Sequence, residues 1–438
     1  MTEIRLGDAS QKIGSGATPR GGKEVYLSSG KTAFIRSQNI YNNRFEKTGV
    51  VYLTDEQAND LSNVEVLPND VLLNITGDSV ARACQVPSEI LPARVNQHVA
   101  IIRTIPQKLD SRFLSYFLVS PVMQSCMLSM ASAGATRQAL TKGMIENFRI
   151  PQFELEKQKA IASILGALDD KIELSRRMNA TLEAMALALF KSWFVDFDPV
   201  RAKSEGHHPF GMDAETVALF PSRLVPSTLG DIPVGWTVDE IGNVVTAVGG
   251  STPSTENPEY WIGGQHAWAT PKDLSALKSP VLLSTERRIT DAGIRVISSG
   301  LLPSGTVLMS SRAPIGYIAI AETPVAINQG FIAITCNKSL PNLYVWQWLQ
   351  TNLDMIKSHA NGSTFQEISK GSFRPLPCIV PESKVLEKFQ AIVLPIWQKL
   401  VTNEKERLGL EKTRDYLLPK LISGDIRISD AEKFVEAA

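Results

Sequence analysis

The sequence predicts an α+β fold built twice, as two mixed α/β domains each followed by a long helix. Three observations carry this. Short motifs recur in the same order at a nearly constant spacing along the chain. After each α/β stretch, apolar residues fall into heptads. Over 438 residues the composition is 43% hydrophobic and 21% charged, ordinary for a folded chain with two or three domains.

The duplication is read directly. Gly16-Ala17-Thr18-Pro19 matches Gly250-Ser251-Thr252-Pro253, 234 positions later. Asp70-Val71-Leu72-Leu73-Asn74 parallels Thr306-Val307-Leu308-Met309-Ser310, and Asn96-Gln97 matches Asn328-Gln329. Gly134-Ala135-Thr136-Arg137-Gln138 matches Gly362-Ser363-Thr364-Phe365-Gln366, and Leu155-Glu156-Lys157 matches Leu386-Glu387-Lys388. The period far exceeds that of a solenoid, so this is a pair of domains.

Residues 1–152 form the first domain. Phe34-Ile35-Arg36, Val71–Leu73 and Val99–Ile102 read as strands, and Ser111–Ser120 as a helix. Residues 153–198 form a long helix, because between Glu154 and Val195 there is no proline and one glycine, Gly166. Its seam holds Ile161, Leu168, Ser175, Leu182 and Leu189 at one heptad position. Leu165, Ile172, Asn179, Ala186 and Trp193 hold the other, with a polar break at Ser175 and Asn179. Asp196-Phe197-Asp198-Pro199 terminates it. Residues 199–230, with Pro199, Pro209, Pro221 and Pro226, read as an irregular linker. Residues 231–380 form the second domain. Residues 381–438 hold the second helix and a tail, with Phe389, Ile396, Asn403, Leu410 and Leu417 on its seam and Pro395 expected to kink or restart it.

Several function classes find no support. There is no phosphate-binding loop and no nucleophile elbow. The four cysteines are far apart, and His98, His266 and His359 lack metal-ligand spacing. No run is apolar enough to span a bilayer and the N-terminus carries no signal peptide, so a cytoplasmic setting is expected. Residues 1–150 carry 16 basic and 13 acidic residues, and residues 227–378 carry 10 and 11. A chain that gripped DNA strongly by itself would show a basic excess.

What the repeat-matched loops offer instead is Gln, Asn, Ser, Thr and Arg. Such side chains suit base edges and phosphates: Arg pairs with guanine, and Asn or Gln with adenine. The candidate DNA contacts are Thr18, Arg36, Ser37, Gln38, Asn39, Asn96, Gln97, Thr136, Arg137 and Gln138 in the first domain. In the second they are Thr252, Lys272, Ser310, Ser311, Arg312, Asn328, Gln329, Ser363, Thr364 and Gln366.

The run Thr181-Leu182-Glu183-Ala184-Met185 through Phe190-Lys191-Ser192-Trp193-Phe194-Val195-Asp196-Phe197-Asp198-Pro199 resembles the central region of type I restriction–modification specificity subunits. Leu417-Leu418-Pro419-Lys420-Leu421-Ile422-Ser423-Gly424-Asp425-Ile426 resembles their ending, and Ile232-Pro233-Val234-Gly235-Trp236 the opening of a target-recognition domain. The resemblance implies two target-recognition domains held by two antiparallel coiled-coil helices in a pseudo-two-fold arrangement. It implies a non-catalytic subunit that reads a bipartite site in double-stranded DNA, with the helices as ruler. Two methyltransferase subunits and restriction/translocase subunits are the implied partners. S-adenosylmethionine and ATP are expected on those partners, and no cofactor on this chain.

Overall fold

The computed structural model describes residues 2–132, 138–362 and 366–436. The chain divides into two compact units, Met1–Glu173 with Leu408–Ala438, and Leu174–Arg407. Both divisions fall inside long helices. Leu155–Phe194 and Ser383–Ser423 each contribute one half to either unit.

In the first unit an antiparallel sheet runs in the order Ser10–Ser15, Val99–Thr104, Val71–Asn74, Ala83–Gln85. A second sheet runs Val51–Leu53, Thr32–Ile35, Ala93–Val95, Glu65–Val66, and its middle pair is parallel. The central strands Val71–Asn74 and Val99–Thr104 are largely Val, Ile, Leu and Ala because both of their faces are covered. One face meets Ser111–Val119, in which seven of nine residues are buried, and the long helices; the other meets the second sheet.

The second unit repeats this plan. Thr246–Gly249, Phe331–Thr335, Val307–Ser310 and Ile318–Ala321 make the large sheet, extended by Val281–Leu282. Arg287–Ile289, His266–Ala269 and Val325–Ile327 make the smaller one, again with a parallel pair. The parallel registers match at the predicted offset: Val95 faces Ile35, and Ile327 faces Ala269.

The predicted seams are the buried stripes. Ile161, Leu165, Leu168 and Ile172 pack with Leu410, Leu417 and Leu421 in the first unit. In the second, Ala186, Phe190, Trp193 and Phe194 pack with Phe389, Val393 and Leu400. There Asn179 meets Asn403 and, further along, Phe190 meets Phe389, so one helix ascends as the other descends and the pair is antiparallel. The aromatic run Phe190-Lys191-Ser192-Trp193-Phe194 earns its composition here: Phe190, Trp193 and Phe194 form edge-to-face contacts with Phe389, Tyr344 and Phe220.

Two local expectations are corrected. The second long helix is continuous through Pro395. Proline removes one backbone donor at a cost of about 3 kcal/mol, and burial of Val393, Trp397 and Leu400 around it outweighs that. Residues 199–230 are not an irregular linker. They hold helices Asp198–Ser204 and Ala214–Ala218 and a hairpin of Leu224–Ser227 with Gly230–Pro233, and Val200 and Phe220 are buried in the core. Pro199 sits in the first turn of its helix and Pro209 and Pro221 lie between elements, where a missing N–H is tolerated. No single described helix is long and apolar enough to cross a membrane.

Candidate nucleic-acid interface

The repeated motifs meet in space. A Cβ on Gly16 would lie 2.0 Å from the Val95 carbonyl oxygen, and one on Gly250 2.0 Å from that of Ile327. Only glycine permits this approach. It brings Gly-x-Thr-Pro against Asn-Gln, where the Thr18 hydroxyl donates to Gln97 Oε1 and, in the other copy, the Thr252 hydroxyl to Gln329 Oε1 at 2.5 Å. The asparagines close identical turns: Asn96 Oδ1 accepts from His98 N at 3.2 Å and Asn328 Oδ1 from Gly330 N at 2.9 Å. Thr18, Gln97, Thr252 and Gln329 thus form an exposed, hydrogen-bonded platform in each copy.

Beside this platform in the first unit lies an open cleft of about 1090 Å³, lined by Ser37, Gln38, Tyr41, Thr76, Ser79, Arg82, His98 and Gln138 among others. Its walls come from four separate loops. Ser37 and Gln38 lie in the 3₁₀ turn after Thr32–Ile35, while Thr76, Ser79 and Arg82 lie between Val71–Asn74 and Ala83–Gln85. His98 Nδ1 meets the Thr76 hydroxyl at 2.6 Å, tying two of these loops together. Arg82 lies 4.8 Å from the centre of the Tyr41 ring, a cation–π distance.

The second unit presents the corresponding loops with different chemistry. Lys272 stands where the offset places Gln38, and it pairs with Glu286 at 2.8 Å. Arg312 pairs with Glu367 at 3.4 Å through a bridge that matches Thr76 with Ala139 in the first unit. The exposed Gln138 and Gln366 precede those bridges at equivalent places.

Not every predicted contact is at a surface. Asn39 is fully buried; its amide donates to the Glu46 and Thr48 carbonyls and accepts from Arg36 N. Ser310 is also fully buried, bonding Pro314 O, Gly316 N and Tyr317 N. Ser311 is buried as well, and Asn96 nearly so. None of these four faces outward, and Asn39, Ser310 and Asn96 hold their loops in shape. Arg36 is half-buried, donating to Gly49 O at 2.7 Å over the Tyr26 ring. Thr136, Arg137, Ser363 and Thr364 lie outside the described residues. Sequence reasoning missed Tyr41, Thr76, Ser79, Arg82 and His98, which have no matched motif in the second copy. The adjacency of His98 to Asn96-Gln97 was the one available signal.

The chain thus carries a polar cleft assembled from loops on one copy of a duplicated α/β domain. The family model described as Type I restriction modification DNA specificity domain matches residues 1–184 and 233–408, one stretch per copy, and the chain belongs to that family as a specificity subunit. It is similar to the Type I restriction enzyme HindI specificity subunit of Haemophilus influenzae, at 25% identity over an alignment of 481 residues that covers 97% of this chain and 99% of that one. It is 34% identical over 198 residues to the Type I restriction enzyme MjaIX specificity subunit of Methanocaldococcus jannaschii, spanning 43% of this chain and 45% of that protein. Its fold matches the crystal structure of the type I restriction–modification system S subunit from M. genitalium, with a TM-score of 0.56, 17% identity and coverage of 96% and 95% of the two chains.

Proposed function

We propose that this chain reads DNA sequence for a type I restriction–modification complex, each α/β domain recognising one half of a bipartite site. The observation that carries the reading is the contrast between the copies. Their backbones share topology, glycine contacts and platform hydrogen bonds. Their outward side chains differ: Gln38 against Lys272, and Thr76 against Arg312. One scaffold with two sets of polar side chains suits the reading of two different half-sites. The chain itself performs no chemistry in this reading. Methyltransferase subunits, two copies, and restriction subunits dock on it, and S-adenosylmethionine and ATP are theirs.

Equal numbers of basic and acidic residues, 45 of each, make the expected binding behaviour specific. Phosphate contacts supply much of protein–DNA affinity, and here partners must add them. Fluorescence anisotropy with duplex DNA should show weak binding by the chain alone and strong, sequence-selective binding once methyltransferase subunits are added. Equal affinity with and without them would overturn this, and binding of labelled S-adenosylmethionine to the isolated chain would favour a catalytic role instead.

A further inference from the structure

We infer that Arg82 reads a guanine in the half-site of the first domain, and that its backbone position is where the base preferences of the two domains diverge. This rests on the DNA-reading function proposed above. The position is defined by hydrogen bonds that recur in both copies. Asn74 N donates to Arg82 O at 2.8 Å and Ala81 N to Asn74 O at 2.9 Å. In the second unit Ser310 N donates to Tyr317 O at 2.9 Å and Gly316 N to Ser310 O at 3.1 Å. Arg82 and Tyr317 therefore occupy the same place on the same turn.

The residue before each has a left-handed backbone, Ala81 at φ 73° and Gly316 at φ 107°. Glycine takes that conformation freely and alanine does so under strain. Ala81 is nonetheless held there, fully buried, with Gln124 Nε2 donating to its carbonyl at 2.8 Å. Strain held by its surroundings is a mark of functional positioning, and what this turn positions is Arg82.

The guanidinium of Arg82 lines a cleft whose other polar groups are mostly neutral, Ser37, Gln38, Thr76, Ser79 and Gln138, beside Asp78 and His98. It lies over Tyr41 as Arg44 does, at 4.8 and 4.6 Å. Arg44, however, is paired with Glu46 at 3.2 Å. Among the described residues Arg82 has no ion pair and no side-chain hydrogen bond, so its paired donors remain available. In the second unit the cations of the corresponding loops, Lys272 and Arg312, are both paired to glutamates.

Two targets match a forked guanidinium, a phosphate and the O6/N7 edge of guanine. The comparison of copies selects guanine. A phosphate contact serves every sequence alike, so both domains would keep a cation there; a base-reading position differs between domains that read different bases. Here the second domain carries Tyr317. A cleft in which hydrogen-bonding groups outnumber its carboxylate, Asp78, and an aromatic ring beside the guanidinium also suit a base edge.

The experiment uses the full chain assembled with its methyltransferase subunits and duplexes carrying its site, with 7-deazaguanine (which lacks the N7 acceptor) substituted at each guanine in turn. At one guanine of one half-site the unmodified protein should lose roughly tenfold or more in affinity. Arg82→Ala should show no such loss and should accept other bases at that position alone, while Arg82→Lys keeps a weaker guanine preference. Uniform weakening by Arg82→Ala across all sequences, with a shallower salt dependence, identifies a phosphate contact and overturns the inference. Unchanged binding by Arg82→Ala overturns it too. So does indifference of the unmodified protein to every 7-deazaguanine, which needs no variant to fold. A complex with no sequence-selective binding at all would sink the DNA-reading function itself, and this inference with it.

Discussion

At Gly16 and Gly250 a methyl group has nowhere to go, since a carbonyl oxygen of a β-strand end lies 2.0 Å from each Cβ position. Gly16→Ala and Gly250→Ala should each lower stability by about 2–4 kcal/mol, because backbone must shift to relieve the overlap. Thermal denaturation would show it, and unchanged melting temperatures would mean the loops are looser than their hydrogen bonds imply. A second prediction concerns Glu183. Burial, with a smaller contribution from the neighbouring Glu404 charge, pushes its carboxyl up to about 7. In the unfolded chain it titrates in the ordinary carboxylate range, so ionisation opposes folding. The penalty is absent below about pH 4.5, grows as pH rises, and is complete above about 7. Glu183→Gln should therefore come close to the unmodified protein at about pH 4 and melt at a higher temperature at about pH 8. A melting difference that does not change with pH would contradict this. At this scale the platform residues were legible in the sequence because they occur twice. Tyr41, Arg82 and His98 were not, because a residue that differs between copies leaves no repeat signal. The interior positions of Asn39 and Ser310 were likewise hidden, since polar loop residues look alike whether they hold the loop or face a ligand.

The long helices were the most legible elements, because heptads sustained over many turns leave few alternatives. Even the polar layer was readable. Asn179 and Asn403, singled out as breaks in the seam, meet across it, Asn403 Nδ2 donating to Asn179 Oδ1 at 2.9 Å, both almost fully buried. Such a pair weakens a seam while fixing its register. Asn179→Leu or Asn403→Leu alone strands the other amide and should cost about 1–3 kcal/mol. The double substitution should recover most of that loss, as measured by chemical denaturation. Additive losses would mean the two amides are not coupled. The fate of Pro395 and of residues 199–230 was not legible. Local signals there oppose regular structure, and burial against Phe190, Phe194 and Trp236 overrides them. No window of sequence records that tertiary packing.

For the whole molecule the reading assigns recognition to the domains and spacing to the helices. Inserting seven residues into both helices, near Ser175 and near Asn403, keeps the seam in phase. It lengthens each helix by about 10 Å, roughly three base pairs at 3.4 Å each. Methylated sites should then keep their half-site sequences and gain a longer gap. An altered half-site with an unchanged gap would show that the helices do not set the spacing. The duplication was visible in short motifs alone, whereas the spacing role is what the resemblance and the heptads imply; the sequence of the site itself is not written in any one motif.

The most direct test of the central claim is to sequence the methylated adenines in cells carrying this chain with its methyltransferase partners. Two domains with shared backbones and unlike side chains predict a bipartite motif: two different specified halves separated by a gap of fixed length and unspecified sequence. Replacing the first domain with that of another specificity subunit should change one half and leave the other intact. A single uninterrupted motif, or a domain replacement that alters both halves together, would contradict the account.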